Sequence, residues 1–350
     1  MISIDGSKGE GGGQILRTAI AFSALTKEPV KIFNIRAKRK NPGLKAQHLT
    51  AIEAVGKICN AKIFGNTLNS KEIEFYPNEI KSESFSVNIG TAGAITLVLQ
   101  ALMIPAMKIK KRIKIQLKGG TDVKFSPSID YTKFVTLPLL KKLFGYNAKI
   151  ELIRRGYFPK GNGKVIMEIF PIKEKDKENK EGEINLINRG KILSLNGISH
   201  AHIALQEKKV ARRQARTARS LLYNYLCKLN PDIKVEIKQE YCHASSYGSG
   251  ITLWLKTENS ILGASSLGEK GKSSEIVGQE VAKNLLEEIK GTNAAIDSHM
   301  ADQIVPYLAL TSGRISISKI TEHTKTNVAV VNKFGFNVKI KGNILISNNE

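Results

Sequence analysis

A histidine late in the chain combines a reactive side chain with a setting that favours phosphate. His323 lies between a predicted strand, Ile315 to Ile320, and a predicted helix that begins at Asn327. The free N–H groups and the dipole at a helix N-terminus attract anions. Unprotonated imidazole is also a competent nucleophile near neutral pH. The pattern is compatible with attack on a phosphorus atom, and equally with a histidine that only forms hydrogen bonds.

Glycines and cations near the N-terminus indicate a second phosphate-binding element. The segment Gly6 to Gln14 joins a short predicted strand to a helix that begins near Ile15. Glycines in such a turn let backbone N–H groups approach a phosphate, although glycine-rich turns also serve packing. Guanidinium groups add bidentate contacts with phosphate. The polar and cationic residues that follow are Arg17, Arg36, Lys38, Arg39, Lys40, Lys45, Gln47 and His48.

Several familiar sites are excluded by the spacing of their residues. A Walker A loop would need glycine five residues before Gly271, and that position is Ser266. The N-terminal glycine segment lacks the register and the acidic partner of a dinucleotide-binding turn. The three cysteines show no paired spacing, so a disulfide framework or cysteine zinc site is not indicated. Without a long apolar run or a signal-like start, the sequence predicts a cytoplasmic protein.

The charge balance favours a polyanionic partner. Lys and Arg total 54 against 31 Asp and Glu, which gives a formal charge of +23. Clustered cations bind phosphates with release of counterions, so nucleic acid is the natural candidate. The predicted helical segment Lys208 to Arg219 carries six of these cations and could form a face for RNA, although such faces are often only solvated.

A repeated unit organises the chain. Each copy contains an apolar helix, a turn, a strand, a second helix and a further strand. The copies resemble each other most in their last segments, Gly145 to Ile150 and Gly335 to Ile340, where glycine would end a helix with a positive φ. The repeat predicts an α/β (α+β type) fold with mixed sheets. Its predicted elements are Ile15 to Leu25, Val30 to Arg36, Leu44 to Ile58 and Ala61 to Ile63; Ala94 to Leu102, Ile113 to Lys118, Tyr131 to Phe144 and Ala148 to Ile150; and Ile304 to Leu310, Ile315 to Ile320, Asn327 to Phe334 and Val338 to Ile340.

An insertion separates the second and third copies. The charged segment Lys173 to Glu183 predicts a linker, because it cannot form a local core. The following residues have their own predicted helices, Arg213 to Leu229 and Ser274 to Ile289, and strands, Ile233 to Ile237 and Ile251 to Leu255. The sequence therefore predicts a repeat-built core, 1–184 and 293–350, and an inserted smaller α/β domain, 185–292.

Several motifs in one order resemble those of the RNA 3'-terminal phosphate cyclase family, over essentially the whole chain. The resemblance implies three tandem α/β repeats like those in the C-terminal domain of a translation initiation factor, plus an inserted domain. The motifs are Gly9 to Arg17, Ile35 to Arg39, Pro42 to Leu44, Gln47 to Leu49, Gly119 to Asp122, Arg155 to Gly161, Ala301 to Gln303, and His323 with Thr326 to Val331.

The resemblance also implies a reaction and a site. A histidine would attack the α-phosphorus of ATP, AMP would pass to an RNA 3'-terminal phosphate, and the 2'-hydroxyl would close a 2',3'-cyclic phosphate. His323 stands at the nucleophile position, and Glu10 at a position near a divalent metal, Mg²⁺ or Mn²⁺. A phosphate-binding cluster is matched by Arg17, Arg36, Arg39, Gln47 and His48. Positions around the nucleotide are matched by Pro127, Asp302 and Gln303.

Two departures and two alternatives accompany this resemblance. Asn162 replaces a glycine of the family, which is tolerable because Asn adopts positive φ. His299 stands where the family often has an aromatic residue, which leaves the stacking of adenine open. A non-catalytic RNA-binding relative would lack the nucleophile, and an enolpyruvyl transferase would share repeated α/β units and cation clusters. His323 and the listed motifs favour the cyclase. Oligomeric state is not specified by the sequence.

Overall fold

The computed structural model describes residues 1–172 and 183–348; of the predicted linker, only Glu183 falls among them. Helices and strands are numbered in chain order. The strands are β1 (Ile2–Asp5), β2 (Val30–Phe33), β3 (Lys62–Phe64), β4 (Ile73–Tyr76), β5 (Phe85–Asn88), β6 (Ile113–Gly119), β7 (Ala148–Arg154), β8 (Gly163–Ile169), β9 (Ile184–Leu186), β10 (Ile192–His202), β11 (Lys234–Cys242), β12 (Ser249–Thr257), β13 (Ile261–Leu267), β14 (Gly313–Ser316), β15 (Val338–Lys341) and β16 (Ile344–Ser347). The longer helices are α1 (Gly13–Thr26), α2 (Ala46–Cys59), α3 (Ile95–Met103), α4 (Leu137–Phe144), α5 (Val210–Leu229), α6 (Ser274–Ile289), α7 (Ser298–Leu308) and α8 (Glu322–Lys333).

The mixed α/β fold is confirmed, and three of its sheets share one topology. Their strand orders are β1-β2-β4-β3, β5-β6-β8-β7 and β9-β14-β16-β15. In each sheet the first two strands are parallel and the remaining pairs are antiparallel. Each repeat is therefore β-α-β-α-β-β. Beyond the predicted elements, every repeat has one further strand at its end, and the second and third repeats also have one at their beginning; the strand predicted before the first helix is confirmed as β1.

Helices cover one face of these sheets and form the main core. The apolar positions of α1 to α3 and of the alternating strands meet in one cluster, which includes Phe22, Ile52 and Leu99. Gly145 has φ 68° at the C-terminus of α4, and Gly335 has φ 87° after α8, so both predicted helix ends are confirmed. No helix within the described ranges is long and apolar enough to span a bilayer.

The insertion lies inside the third repeat, between β9 and α7. It forms its own sheet, β11-β10-β12-β13, whose core with α5 and α6 includes Leu195, Leu222 and Val281. The chain leaves and re-enters the third repeat at neighbouring points, because the N–H of Arg189 donates to the carbonyl of Asn293 at 3.2 Å. Since β9 pairs with β14, we propose that the insertion begins after β9, rather than at 185.

A buried charged network fastens the insertion to the second repeat. The Arg155 guanidinium lies 3.2 Å from Asp122, 2.9 Å from Asp130 and 3.0 Å from Glu240 of β11. Burial alone would raise the pKa of the Asp122 carboxyl, but His200 and Arg155 outweigh it and hold that pKa below its usual range. The same two parts of the chain also meet at the stacked rings of Phe134 and Trp254, with centroids 4.4 Å apart, and at the Ser128–Thr252 hydroxyl pair at 2.7 Å.

Candidate active site

One cleft of about 980 Å³ is lined by all ten residues that the family resemblance assigns to the site. The first repeat contributes the glycine turn, the N-termini of α1 and α2 and the loop after β2. The third contributes α7 and the first turn of α8. The ten predicted residues on its wall are Glu10, Arg17, Arg36, Arg39, Gln47, His48, Pro127, Asp302, Gln303 and His323.

The N-terminus of α1 is open towards this cleft. Its N-cap, Gly12, offers no side chain to the first N–H groups of the helix. A β-carbon at Gly13 would collide with the His48 ring, so only glycine lets these two helix starts approach each other. Free N–H groups at a helix N-terminus bind phosphate. The turn therefore has the geometry of an anion site.

His323 belongs to the first turn of α8, and not to a loop before it. The predicted helix start at Asn327 was wrong, because Thr321 caps a helix that begins at Glu322. Thr321 and Thr324 form a reciprocal capping box there, which the sequence pattern does not signal because the usual acidic partner is replaced by a threonine. His323 thus lies directly beside the unpaired N–H groups of the helix.

Glu10 faces His323 across the cleft. Its Oε2 lies 2.7 Å from Nδ1 of His323, whose side chain is 43% exposed. This contact is an ion-pair approach without the alignment of a hydrogen bond. The other carboxylate oxygen of Glu10 pairs with Arg39. A carboxylate that only accepts favours the proton on Nδ1, which leaves the Nε2 lone pair free for attack.

Asp302 holds the turn that carries His323. Its carboxylate accepts hydrogen bonds from the hydroxyls of Thr321 and Thr324, the latter at 2.7 Å. Its backbone carbonyl accepts from Asn327 at 2.6 Å. Burial raises the pKa of the Asp302 carboxyl, although the threonine hydroxyls and His323 oppose that rise. Asp302 therefore positions the N-terminus of α8, besides lining the cleft.

Three arginines give the cleft its positive charge. Burial lowers the pKa of Arg17 to about 10, which still leaves it cationic at neutral pH, and Glu10 opposes the shift. Arg36 has φ 55° and donates to the carbonyls of Asn41 at 2.8 Å and Gly43 at 2.9 Å. Arg36 thus shapes its own loop as well as facing the cleft.

Alanine at Arg17, Arg36 or Arg39 should weaken the binding of inorganic pyrophosphate by about 2 kcal/mol or more, because each change removes a charge-assisted contact. Titration calorimetry checks this. Lys40→Ala is the matched control, since Lys40 is exposed in the same loop but is absent from the cleft wall. Arg36→Lys should not restore affinity, because a lysine ammonium cannot offer phosphate the two parallel N–H donors of a guanidinium. Unchanged affinity in all three alanine variants would contradict the assignment.

His48 enters the cleft as a neutral hydrogen-bond donor. Its Nδ1 accepts from the backbone N–H of Lys45 at 3.0 Å, so the ring proton lies on Nε2. Burial, together with repulsion from the neighbouring Arg17, Arg36 and Lys45, lowers the pKa of His48 to about 3. The ring is 4% exposed. A neutral N–H beside three cations can bind phosphate oxygen without adding to their mutual repulsion.

This depressed pKa predicts a pH-dependent stability. Between pH 6.5 and 3 the unfolded chain binds a proton at His48 that the folded chain does not. Stability should therefore rise with pH across that window, by about 1.4 kcal/mol per pH unit from this group. In His48→Gln, the increase of the unfolding free energy with pH should be smaller than in the unmodified protein by that amount per pH unit. Identical slopes for both proteins between pH 6.5 and 4 would contradict the buried neutral histidine.

Two of the residues that the resemblance matches to positions around a nucleotide, Pro127 and Gln303, lie at the other wall. Gln303 accepts from the Thr136 hydroxyl at 3.2 Å and donates to the His299 carbonyl at 3.1 Å. The carbonyl of Pro127 accepts from Thr96 at 2.9 Å. His299 makes an edge contact with Tyr131 at 6.3 Å between ring centroids. The imidazole of His299 therefore lines this wall, at the position where the resemblance implies an aromatic residue.

The insertion also contributes to the cleft, which the sequence did not predict. Lys272, which the sequence shows only as part of a failed Walker motif, reaches the wall and pairs with Glu280. The residues of the insertion on the wall are Ser265, Ser266, Leu267, Glu269, Lys272, Glu280 and Asn284. No sequence motif marks them, because their place in the cleft depends on how the insertion docks.

Comparison with known proteins agrees with this geometry. The sequence model described as RNA 3'-terminal phosphate cyclase matches residues 8–341. A protein of that name from Ignicoccus hospitalis is 47% identical over 337 residues, which cover 95% of this chain and 92% of the relative. Its namesake from Pyrococcus furiosus is 46% identical, with 98% and 96% covered. That from Saccharolobus solfataricus is 43% identical, with 97% and 96% covered.

Proposed function

Because the chain belongs to the RNA 3'-terminal phosphate cyclase family, we propose that it uses ATP to convert an RNA 3'-phosphate into a 2',3'-cyclic phosphate. The observation that carries this proposal is the meeting of His323 and Glu10 with three arginines and two helix N-termini in one cleft. A nucleophile and an anion site are the two requirements of nucleotidyl transfer.

The first step is attack of His323 Nε2 on the α-phosphorus of ATP. A phosphorus–nitrogen bond forms as the bond to the bridging oxygen breaks, and pyrophosphate leaves. The Glu10 carboxylate lies beside Nδ1 and stabilises the positive charge that forms on the ring. The arginines and the α1 N-terminus offset the charge that develops on the phosphates.

The second and third steps activate and close the RNA end. An oxygen of the RNA 3'-phosphate attacks the AMP phosphorus and releases His323. The 2'-hydroxyl then loses its proton and attacks the RNA phosphorus. The bond from this phosphorus to the oxygen that bridges it to AMP breaks, and AMP leaves. A phosphate monoester lacks a good leaving group, and adenylylation supplies one. The neutral Nε2–H of His48 is suited to hold the RNA phosphate during both steps.

Glu10 also fits a divalent metal. Mg²⁺ is usually held by one or two carboxylates together with substrate phosphates, and Glu10 is a 26% exposed carboxylate beside the anion site. When bound, the ion would neutralise phosphate charge.

A labelling experiment tests the reaction. Incubation with ATP labelled at the α-phosphorus should give a labelled protein, whereas γ-labelled ATP should not. The linkage should be acid-labile and base-stable, as a phosphoramidate is. A 3'-phosphorylated RNA should then discharge the label and yield a phosphatase-resistant end. An unlabelled protein with a cyclised RNA would refute the covalent route.

A further inference from the structure

A row of cations crosses the open face of the second repeat's sheet. Strand register places Asn88 of β5 beside Lys118 of β6, Lys118 beside Lys164 of β8, and Lys164 beside Arg154 of β7. All four side chains are exposed. Neighbouring strands lie about 4.8 Å apart, so the three positive charges stand side by side.

A β-bulge creates the last position of this row. The register of β7 shifts between Leu152 and Arg154, with Leu152 opposite Val165 and Arg154 opposite Lys164. Two residues after Leu152, a regular strand would turn Arg154 to the same face as Leu152, towards the helices. The bulge at Ile153 turns Arg154 outward instead. Arg154 is fixed there by hydrogen bonds of 3.0 and 2.7 Å to the carbonyl of Asn162.

The charges of this cation row are not neutralised by the protein. Like charges directly opposite each other on a sheet are destabilising. Within residues 1–172 and 183–348, neither Lys118, Lys164 nor Arg154 takes part in an ion pair. The nearby carboxylate of Glu240 is already bound by Arg155. The arrangement therefore suits an external polyanion.

The cation row lines a groove of about 900 Å³ between the sheet and the end of β11. The amides of Asn88 and Gln116 add neutral hydrogen-bonding groups to its floor. A positively charged groove that follows the backbone is typical of sites for single-stranded nucleic acid.

The groove leads to the cleft through the segment after β5. A β-carbon at Gly93 would lie 3.1 Å from Cβ of Gln47 on the cleft wall. Gly93 is five residues from Asn88, which limits the distance between them to about 17 Å. A strand whose 3' end lies at Gln47 and His48 can therefore reach the row within a few nucleotides.

We propose that the row Lys118, Lys164 and Arg154 binds the RNA backbone upstream of the reacting 3' end. This inference rests on the proposed function for the identity of the polyanion. It assigns the RNA path to the second repeat, and not to the basic helix α5, where Arg213 is paired with Glu275 and Arg219 lies over the Tyr223 ring.

The test compares RNA lengths in the triple variant Lys118→Ala, Lys164→Ala, Arg154→Ala. A 3'-phosphorylated RNA of about 12 nucleotides should bind the variant roughly 100-fold more weakly at 0.1 M salt, with a salt slope smaller by about 2. A 3'-phosphorylated dinucleotide should bind equally to both proteins. Fluorescence anisotropy measures both affinities.

Two further triple variants complete the design. Alanine at Lys333, Lys339 and Lys341, exposed around the third sheet, removes the same charge and should leave both affinities unchanged. Alanine at Arg212, Arg216 and Arg219 tests helix α5. An equal loss of affinity for short and long RNA in the row variant would overturn the proposal. A length-dependent loss of affinity in the α5 variant or in the control variant, in place of the row variant, would overturn it as well. Adduct formation from labelled ATP reports on the proposed function separately, because it needs no RNA.

Discussion

Replacing His323 with alanine should abolish the AMP adduct and lower RNA cyclisation by more than about 10⁴-fold, because the proposed mechanism assigns the nucleophile to His323 alone. The fold should persist, since the side chain is 43% exposed and its loss leaves no core cavity. Labelling with α-labelled ATP and a cyclisation assay measure the two activities.

Controls for this change come from the same helix turn. Lys325 is exposed, pairs with Glu322 and does not line the cleft, so Lys325→Ala should keep full activity. Glu10→Gln should retain the nucleophile but form the adduct more slowly, because an amide stabilises the charged ring less than a carboxylate does. An adduct that survives in His323→Ala would place the nucleophile elsewhere.

Replacing Arg155 with alanine should destabilise the protein by about 3–5 kcal/mol, because Asp130 would remain buried without its cation and Asp122 would keep only its contact with His200. Both carboxylates and the guanidinium are less than 5% exposed. Chemical denaturation followed at several pH values measures the effect.

The sign of the pH effect follows from Asp130. Burial already raises the pKa of its carboxyl, even though Arg155 opposes the rise. Without Arg155 the folded pKa should rise further, so the stability of the variant should fall as pH increases above the unfolded value of 3.8. The loss of unfolding free energy in Arg155→Ala, relative to the unmodified protein, should be smaller at pH 5 than at pH 8. Adding Asp130→Asn should recover part of it.

Glu240→Gln is the matched control for this network. Glu240 contacts the same guanidinium at 3.0 Å, but its side chain is 44% exposed. Solvent-exposed ion pairs contribute about 0–1 kcal/mol, so this change should have little effect. A loss as large as that of Arg155→Ala would show that the network is not governed by burial.

The sequence predicted the cleft better than it predicted the strands. His323 and Glu10 are separated by most of the chain, yet motif order placed both in one site, and the structure brings them within 2.7 Å. Periodicity found the helices, and Ser274–Ile289 was predicted to the residue. Helices carry a periodic apolar face that single sequences reveal.

Short strands gave no comparable signal. β9 has three residues and β16 has four, which is too few for an alternating pattern to stand out, whereas the short strand before the glycine turn was predicted and is confirmed as β1. β9 is recognisable only by its partner β14, which lies beyond the insertion. The contribution of Lys272 to the cleft was invisible for a similar reason, since it depends on how two folded units dock.

The place of the insertion sets an order for folding during synthesis. Gly313 pairs with Ile184, so a ribosome that adds 5–20 residues per second exposes β9 roughly 6–26 s before its partner emerges. The insertion has its own core and its two ends meet at Arg189 and Asn293, so it can fold during this wait and leave only a small loop to close between β9 and β14. Substitutions that unfold the insertion should therefore appear first as a nascent chain with an open third sheet, bound by chaperones, rather than as an inactive enzyme.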